Sequence, residues 1–389
     1  MLALCSAIVR WFTAVVPLDV VAAPILPDFS GGAISNIIPY LLSPQANQQG
    51  NAPVWLPAAA VGAKRAVVLI IDGLGWNQFQ ERTALAPTMA KMSASRITSV
   101  APTTTATALT SIATGLAPGE HGIVGYRMQI DSYVMNSLRW ADEKGDLRRQ
   151  FPPHDVQPFP PFLGSSVPVI SKAELEGSGF TEAHLQGVRH HGWRVSSSIP
   201  VIIEELLNAG ENFVYAYYDG IDKIAHERGF GAFYDAELRV VDALISDIIA
   251  RLPSDTALYV TADHGQVHVN DNVVRLDNDV MNLVRTQSGE GRFRWLHARR
   301  GMEAQLLEVC TEKFSHCAWV RSQEQILDEQ WFGPVVRPVV QRRLGEVALV
   351  PFEPVTFFDP ADSGPFQLVC RHGSLTADEM YVPLLVHRS

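Results

Sequence analysis

Three stretches of this chain are apolar almost from end to end and rich in β-branched or aromatic residues, and each leads to an aspartate. AVVLII runs into Asp72, NFVYAYYDGI reaches Asp222, and ALYVTA ends at Asp263. A strand with one wet face alternates polar and apolar residues. A continuous apolar run marks a parallel strand covered on both faces. Strands are expected from Ala66 to Ile71, Phe213 to Tyr218 and Ala257 to Thr261. Between them, Ile202–Leu207 and residues 231–252 repeat at helical period. The alternation predicts an α/β fold, with a mostly parallel central sheet sandwiched by helices. Such sheets place function beyond the carboxyl ends of their strands, where all three aspartates fall.

The rhythm is interrupted twice. Residues 280–345 contain two short strand-like runs, RFRWLHA and CAWVRS, and read as a small inserted α+β cap subdomain. Residues 127–195 are crowded with Pro, His and aromatic residues and read as long loops. Residues 1–63 form a lead-in with a short helix-like patch at NIIPYLL, ahead of a catalytic domain spanning 64–389. A chain of 389 residues suits one large α/β domain with an insertion.

A net charge of −10 argues against a surface built to hold nucleic-acid phosphates. The four cysteines, Cys5, Cys310, Cys317 and Cys370, form no close CxxC pair and read as free thiols in the cytoplasm. The apolar run 1–24 is broken by Arg10 and Asp19 and lacks a basic start. It reads as an ordered or docked segment, with an atypical export signal as the alternative. No other stretch has the roughly 18 uninterrupted apolar residues of a membrane span. The sequence carries no signal of oligomeric state.

Imidazoles stand beside the aspartates. His226 follows Asp222 by four residues, a spacing that places both on one helix face, able to grip one ion. His264 adjoins Asp263, and His372 lies in RHGSLT near the C-terminus. Thr105, in PTTTATALTSIATG, supplies a hydroxyl, and a helix beginning there would aim backbone N–H groups at a phosphate. Three carboxylates, three imidazoles and a hydroxyl suggest two-metal phosphoryl transfer. Two divalent ions against three carboxylates leave about +1 for an anionic substrate. Taken singly, each aspartate also fits a turn or helix cap.

The chain resembles the alkaline phosphatase superfamily, in its branch of type I phosphodiesterases and nucleotide pyrophosphatases. The matching pieces are IIDGLG at 70–75, PTTTATALTSIATGLAPGEHGI at 102–123, DKIAH at 222–226, ADHG at 262–265 and HGSLTADEMYVPLL at 372–385, in the family's order. The resemblance implies that Asp72, Thr105, Asp263 and His264 hold one metal and that Asp222, His226 and His372 hold the other. It implies two zinc ions; manganese and iron also suit these ligand types. It places the nucleophile at Thr105 rather than Thr103 or Thr104, through a phosphothreonine that water then hydrolyses. The chain departs from the family at Tyr126, where diesterase members commonly carry an asparagine that contacts a phosphate oxygen. Tyr126 either donates a hydrogen bond to substrate or packs. Arg127 reads as a structural arginine, with phosphate contact as the alternative.

The expected function is hydrolysis of phosphodiester or pyrophosphate bonds in nucleotides or similar small phosphorylated molecules. The alternatives are a phosphomonoesterase, phosphonate hydrolase or phosphomutase of the same superfamily, or a metal-binding relative without turnover.

Overall fold

The computed structural model describes residues 22–43, 52–362 and 367–389. Cys5 and most of the apolar N-terminal run, 1–21, lie outside the described residues. The predicted strands are present: β1 (Arg65–Ile71), β5 (Phe213–Tyr218) and β6 (Thr256–Thr261). They join β2 (Ser93–Thr98), β3 (Pro168–Lys172), β4 (Arg189–Trp193) and β7 (Tyr381–Arg388) in a seven-stranded sheet of order β2-β7-β6-β1-β5-β3-β4. β1 lies between β5 and β6 and is parallel to both. Only β7 runs antiparallel to its neighbours. The apolar runs are central for the reason they are apolar: Val67 to Ile71 and all of β6 are buried. The chain is thus a mixed α/β protein with a largely parallel central sheet, as expected.

The loops expected over 127–195 are a correction. Two strands of the main sheet, β3 and β4, lie there, together with a small antiparallel sheet at 127–146. β4 reads RHHGW and is the sheet's edge, with little buried surface to demand an apolar pattern. β3 is only five residues long and begins at a proline.

Helices fall where their periodicity placed them. We label α1 Thr105–Thr114, α2 Ile199–Asn208, α3 Gly220–Arg228 and α4 Ala232–Arg251. On α4, Leu238, Val241, Ile245 and Ile248 turn to the core. The described part of 1–63 packs against the same core through Ile34, Ile37 and Ile38, and Ala33 bridges to Thr98.

A second antiparallel sheet has the order Val284–Glu290, Phe293–Ala298, Val347–Pro351, Ala318–Ser322. It reaches Pro351, beyond the 280–345 stretch read as an insertion. The helix Glu303–Phe314 sends Leu306, Cys310 and Phe314 into a small core with it.

One fully buried ion pair ties this sheet to the C-terminal loop. Arg292 donates to both oxygens of Glu379, each at 2.8 Å, and Glu379 also accepts from Ser374 N and from Thr376 Oγ1. Removing one partner strands the other charge in the interior. Glu379→Ala is expected to cost about 3–5 kcal/mol in urea unfolding; a loss below about 1 kcal/mol would show that the pair is dispensable.

His297, in the same sheet, is buried with its Nε2 2.7 Å from Ser288 Oγ. Burial, aided by Arg285, lowers its pKa from 6.5 to about 3. Between those values the unfolded chain binds a proton that the folded chain refuses. Stability from this group is therefore full above pH 6.5 and falls as pH drops toward 3. His297→Gln should flatten the stability profile between pH 6 and 4 by about 1.4 kcal/mol per pH unit. Unchanged slopes in urea titrations at those two pH values would contradict this.

Candidate active site

Asp72 stands one residue beyond β1, and its N–H still bonds Tyr218 O at 2.9 Å, so the sheet itself fixes the backbone there. The chain then turns through Gly73 at φ +75°. A Cβ on Gly73 would lie 3.0 Å from the Asp222 Cα and 2.6 Å from Gln266 Nε2. Glycine is needed here both for the left-handed turn and for the close approach of α3. Asp222 occupies the first turn of α3 and His226 the last, with Nε2 3.2 Å from Asp222 Oδ1. The four-residue spacing works as predicted. Asp263 and His264 follow β6, both fully buried. His372 arrives from a short bridge, Cys370–Arg371, and its ring stacks on His264 at 3.7 Å.

These six residues meet in one place. His264 Nε2 is 3.5 Å from Asp72 Oδ1 and 3.4 Å from Asp263 Oδ2. His372 Nε2 is 3.2 Å from His226 Nε2 and 3.8 Å from Asp222 Oδ1. Asp222, His226 and His372 form one group able to hold a cation. Asp72 and His264 form another, and Asp222 reaches into this one as well.

The orientation of the imidazoles is informative. His226 Nδ1 bonds Cys370 O at 2.7 Å, His372 Nδ1 bonds Thr103 O at 2.8 Å, and His264 Nδ1 bonds Gly265 O at 3.1 Å. A carbonyl only accepts, so in the neutral rings each proton sits on Nδ1 and each Nε2 lone pair faces the centre. Two such lone pairs 3.2 Å apart cannot bond each other. Asp72 Oδ1 and Asp263 Oδ2 are buried without hydrogen-bond partners. Burial, with the charges of Asp263 and Asp222, pushes Asp72 well above the usual carboxylate range. Burial also raises Asp263, against the pull of His264. Burial opposes ionisation of Asp222 too, but His226, His372 and His264 hold it below that range. The donor set fits divalent cations: converging nitrogen lone pairs and orphaned carboxylate oxygens.

The three threonines at the start of α1 separate by role. Thr103 is buried; its hydroxyl donates to Ser374 O and accepts from Gly373 N, clamping the His372 loop. The Thr104 hydroxyl engages Glu290. Thr105, the first residue of the helix, places its hydroxyl 3.2 Å from His264 Nε2 and lines two cavities. One, of 290 Å³, is bordered by Tyr126, His226, Glu290, Arg371 and His372. The other, of 300 Å³, is largely apolar, with Leu109, Val169, Phe180, Tyr215 and Tyr217. Glu290 and Gly291 come from the turn of the second sheet, which therefore borders the site.

Tyr126 lines the first cavity, and Arg127, read as structural, is not among its lining residues. Arg127 is held by Asp359 at 2.6 Å and Asp362 at 3.0 Å. Asp219 is held by Lys172 at 2.8 Å and Lys223 at 2.7 Å. The sequence reading missed Gln266, which donates to Asp222 Oδ1 at 2.8 Å, and Tyr217, whose hydroxyl donates to Asp72. It also missed Glu290 and Arg371. Tyr217 carried a signal: Tyr215 and Tyr217 alternate on one face of β5. Gln266 and Arg371 adjoin the ADHG and HGSLT motifs, and Glu290 ends a strand of the second sheet.

A family model described as type I phosphodiesterase / nucleotide pyrophosphatase matches residues 66–331. The chain belongs to this family. Among curated proteins no match was found. Among solved structures, murine ectonucleotide pyrophosphatase / phosphodiesterase 5 is similar at TM-score 0.61 and 16% identity, over 84% of this chain and 88% of that one. An inactive variant of the murine protein in complex with AMP is similar at TM-score 0.62, with 16% identity over the same shares of the two chains. Phosphonoacetate hydrolase from Sinorhizobium meliloti, in complex with phosphonoformate, is similar at TM-score 0.62 and 16% identity, over 84% and 90%. At such identities these likenesses speak for the fold.

If Gln266 orients Asp222 for a cation, Gln266→Ala should weaken zinc binding about 10- to 100-fold. Titration of the metal-free protein against a competing chelator measures this, and an unchanged affinity would remove Gln266 from that role.

Proposed function

We propose that this chain is a metal-dependent hydrolase of phosphodiester or pyrophosphate bonds in nucleotides or similar small molecules, with Thr105 as its nucleophile. One observation carries the reading: the Thr105 hydroxyl, at the N-terminus of α1, faces His264 beside the converging carboxylates and opens on both cavities. Asp72, Asp263 and His264, with Thr105, would hold one cation, and Asp222, His226 and His372 the other. Divalent cations bound there, zinc being suited to these donors, supply the charge that lowers a hydroxyl pKa and stabilises a departing oxygen.

The chain's own residues do the rest. The first N–H groups of α1 point at the phosphoryl oxygens, where the helix end favours negative charge. Thr105 Oγ, having lost its proton, forms a bond to phosphorus. The leaving oxygen departs with its electron pair, and a phosphothreonine remains. Water then attacks phosphorus, and Thr105 leaves and recovers a proton. Tyr126 borders the phosphoryl position, where its hydroxyl can donate a hydrogen bond. The apolar chamber at Phe180 and Tyr217 accepts the less polar part of the ester.

A second reading, phosphonate hydrolysis, is favoured by the likeness to phosphonoacetate hydrolase, which equals that to the pyrophosphatase. The metal-loaded protein is expected to hydrolyse bis(p-nitrophenyl) phosphate and to stop when a chelator is added. Thr105→Ala should lose more than about 1,000-fold in kcat with metal content near normal. Retention of rate by that variant, or no turnover of any diester, pyrophosphate or phosphonate by the loaded protein, would defeat the proposal.

A further inference from the structure

The cavity beside Asp222, His226 and His372 holds a cation that the chemistry above does not use. Arg371, the residue before His372, lines it. Its Nε is buried without a hydrogen-bond partner. Among the described residues no carboxylate oxygen lies within 4.0 Å of its guanidinium nitrogens.

The arginines around it behave differently. Arg127 is spanned by two aspartates, Arg292 grips Glu379, and Arg294 bonds Asp362 and the carbonyls of Ser288 and Phe357. Each is paired with a carboxylate by the fold. A partly buried guanidinium with an orphaned Nε and no carboxylate in ion-pair range is costly, and this one borders the cavity.

Its surroundings hold a place open. The backbone of Arg371 is pinned by pairing with Val267, while the adjacent Cys370 carbonyl accepts from His226. At Gly291 a Cβ would come within 3.4 Å of Arg371 Nη1 and 1.9 Å of Thr356 Oγ1, so the bare backbone leaves the guanidinium its room. Of the carboxyls on the same cavity, Asp362 is taken by Arg127 and Arg294, Asp222 faces the imidazoles, and Glu290 meets the Thr104 hydroxyl while its Oε1 has no hydrogen-bond partner. Arg139, exposed, lines the cavity as a second cation without a carboxylate partner among the described residues.

We infer that Arg371, assisted by Arg139, forms an anion subsite that holds the leaving group, so that the substrate's leaving group carries its own negative charge, as a pyrophosphate or a phosphorylated group does. The inference rests on Thr105 as nucleophile. In-line displacement puts the breaking bond opposite Thr105, and the cavity borders His226 and His372 rather than Asp263. As the bond from phosphorus to the leaving oxygen breaks, its electron pair stays with that oxygen. A fixed guanidinium stabilises the accumulating charge through paired N–H donors.

Two esters of the same thymidylyl group separate this subsite from everything else in the site: thymidine triphosphate, which releases pyrophosphate, and p-nitrophenyl thymidine 5′-monophosphate, which releases p-nitrophenolate. In Arg371→Ala the ratio of kcat/KM for the first to the second should fall about 10- to 100-fold, and Arg371→Lys should recover part of it. Calorimetric titration of the metal-loaded protein should show inorganic pyrophosphate weakened by a similar factor and inorganic phosphate by much less. Equal losses for both esters, or an unchanged pyrophosphate affinity, would overturn the subsite. A wild-type protein that turns over neither ester defeats the hydrolase reading, and the two anion affinities in wild type and Arg371→Ala then decide the subsite on their own.

Discussion

The structure turns on the repulsion between three crowded carboxylates. Asp72, Asp222 and Asp263 meet at one end of the sheet, and burial together with their mutual charge drives Asp72 far from its ordinary titration range. Such an arrangement persists only where the backbone holds it rigidly and where lone pairs converge for cations. The parallel sheet provides the rigidity. β1, β5 and β6 are neighbours, so their carboxyl ends deliver the three aspartates to one edge with no further design than the sheet's register. Gly73 then allows α3 to approach that edge.

The imidazoles answer the carboxylates, and their carbonyl partners come from far apart in the chain. The ring of His226 is oriented by Cys370, and that of His372 by Thr103. The segment 370–374 is in turn clamped by Thr103 and, through Glu379, by Arg292 of the second sheet. α1, the C-terminal loop and the second sheet thereby form one connected support. This gives Thr103, two residues before Thr105, a structural task.

Much of this was legible in the sequence. The continuous apolar runs marked the central strands because strands buried on both faces can carry little else. The Asp222–His226 pair was readable because four residues make one helical turn. β3 and β4 were not: β4 is an edge, weakly constrained by burial, and a polar RHHGW satisfies it, while β3, though buried, is five residues long and begins at a proline. Gln266 follows the ADHG motif and Arg371 opens RHGSLT, but what each faces, like what Glu290 faces, comes from elsewhere in the chain, where spacing carries no information.

The sequence by itself determined the fold class, the family and the acidic and imidazole side chains that the sheet gathers in one place, because strand patterning and residue type are local properties. Tertiary structure alone decided three other things. It assigned separate tasks to Thr103, Thr104 and Thr105, which local composition makes nearly equivalent. It gave Asp222 a reach into both ligand groups. It left Arg371, beside the cavity, with no ion-paired carboxylate among the described residues, while pairing Arg127, Arg292 and Arg294 with acids. Each depends on which atoms lie within about 4 Å in space, the range over which hydrogen bonds and ion pairs act.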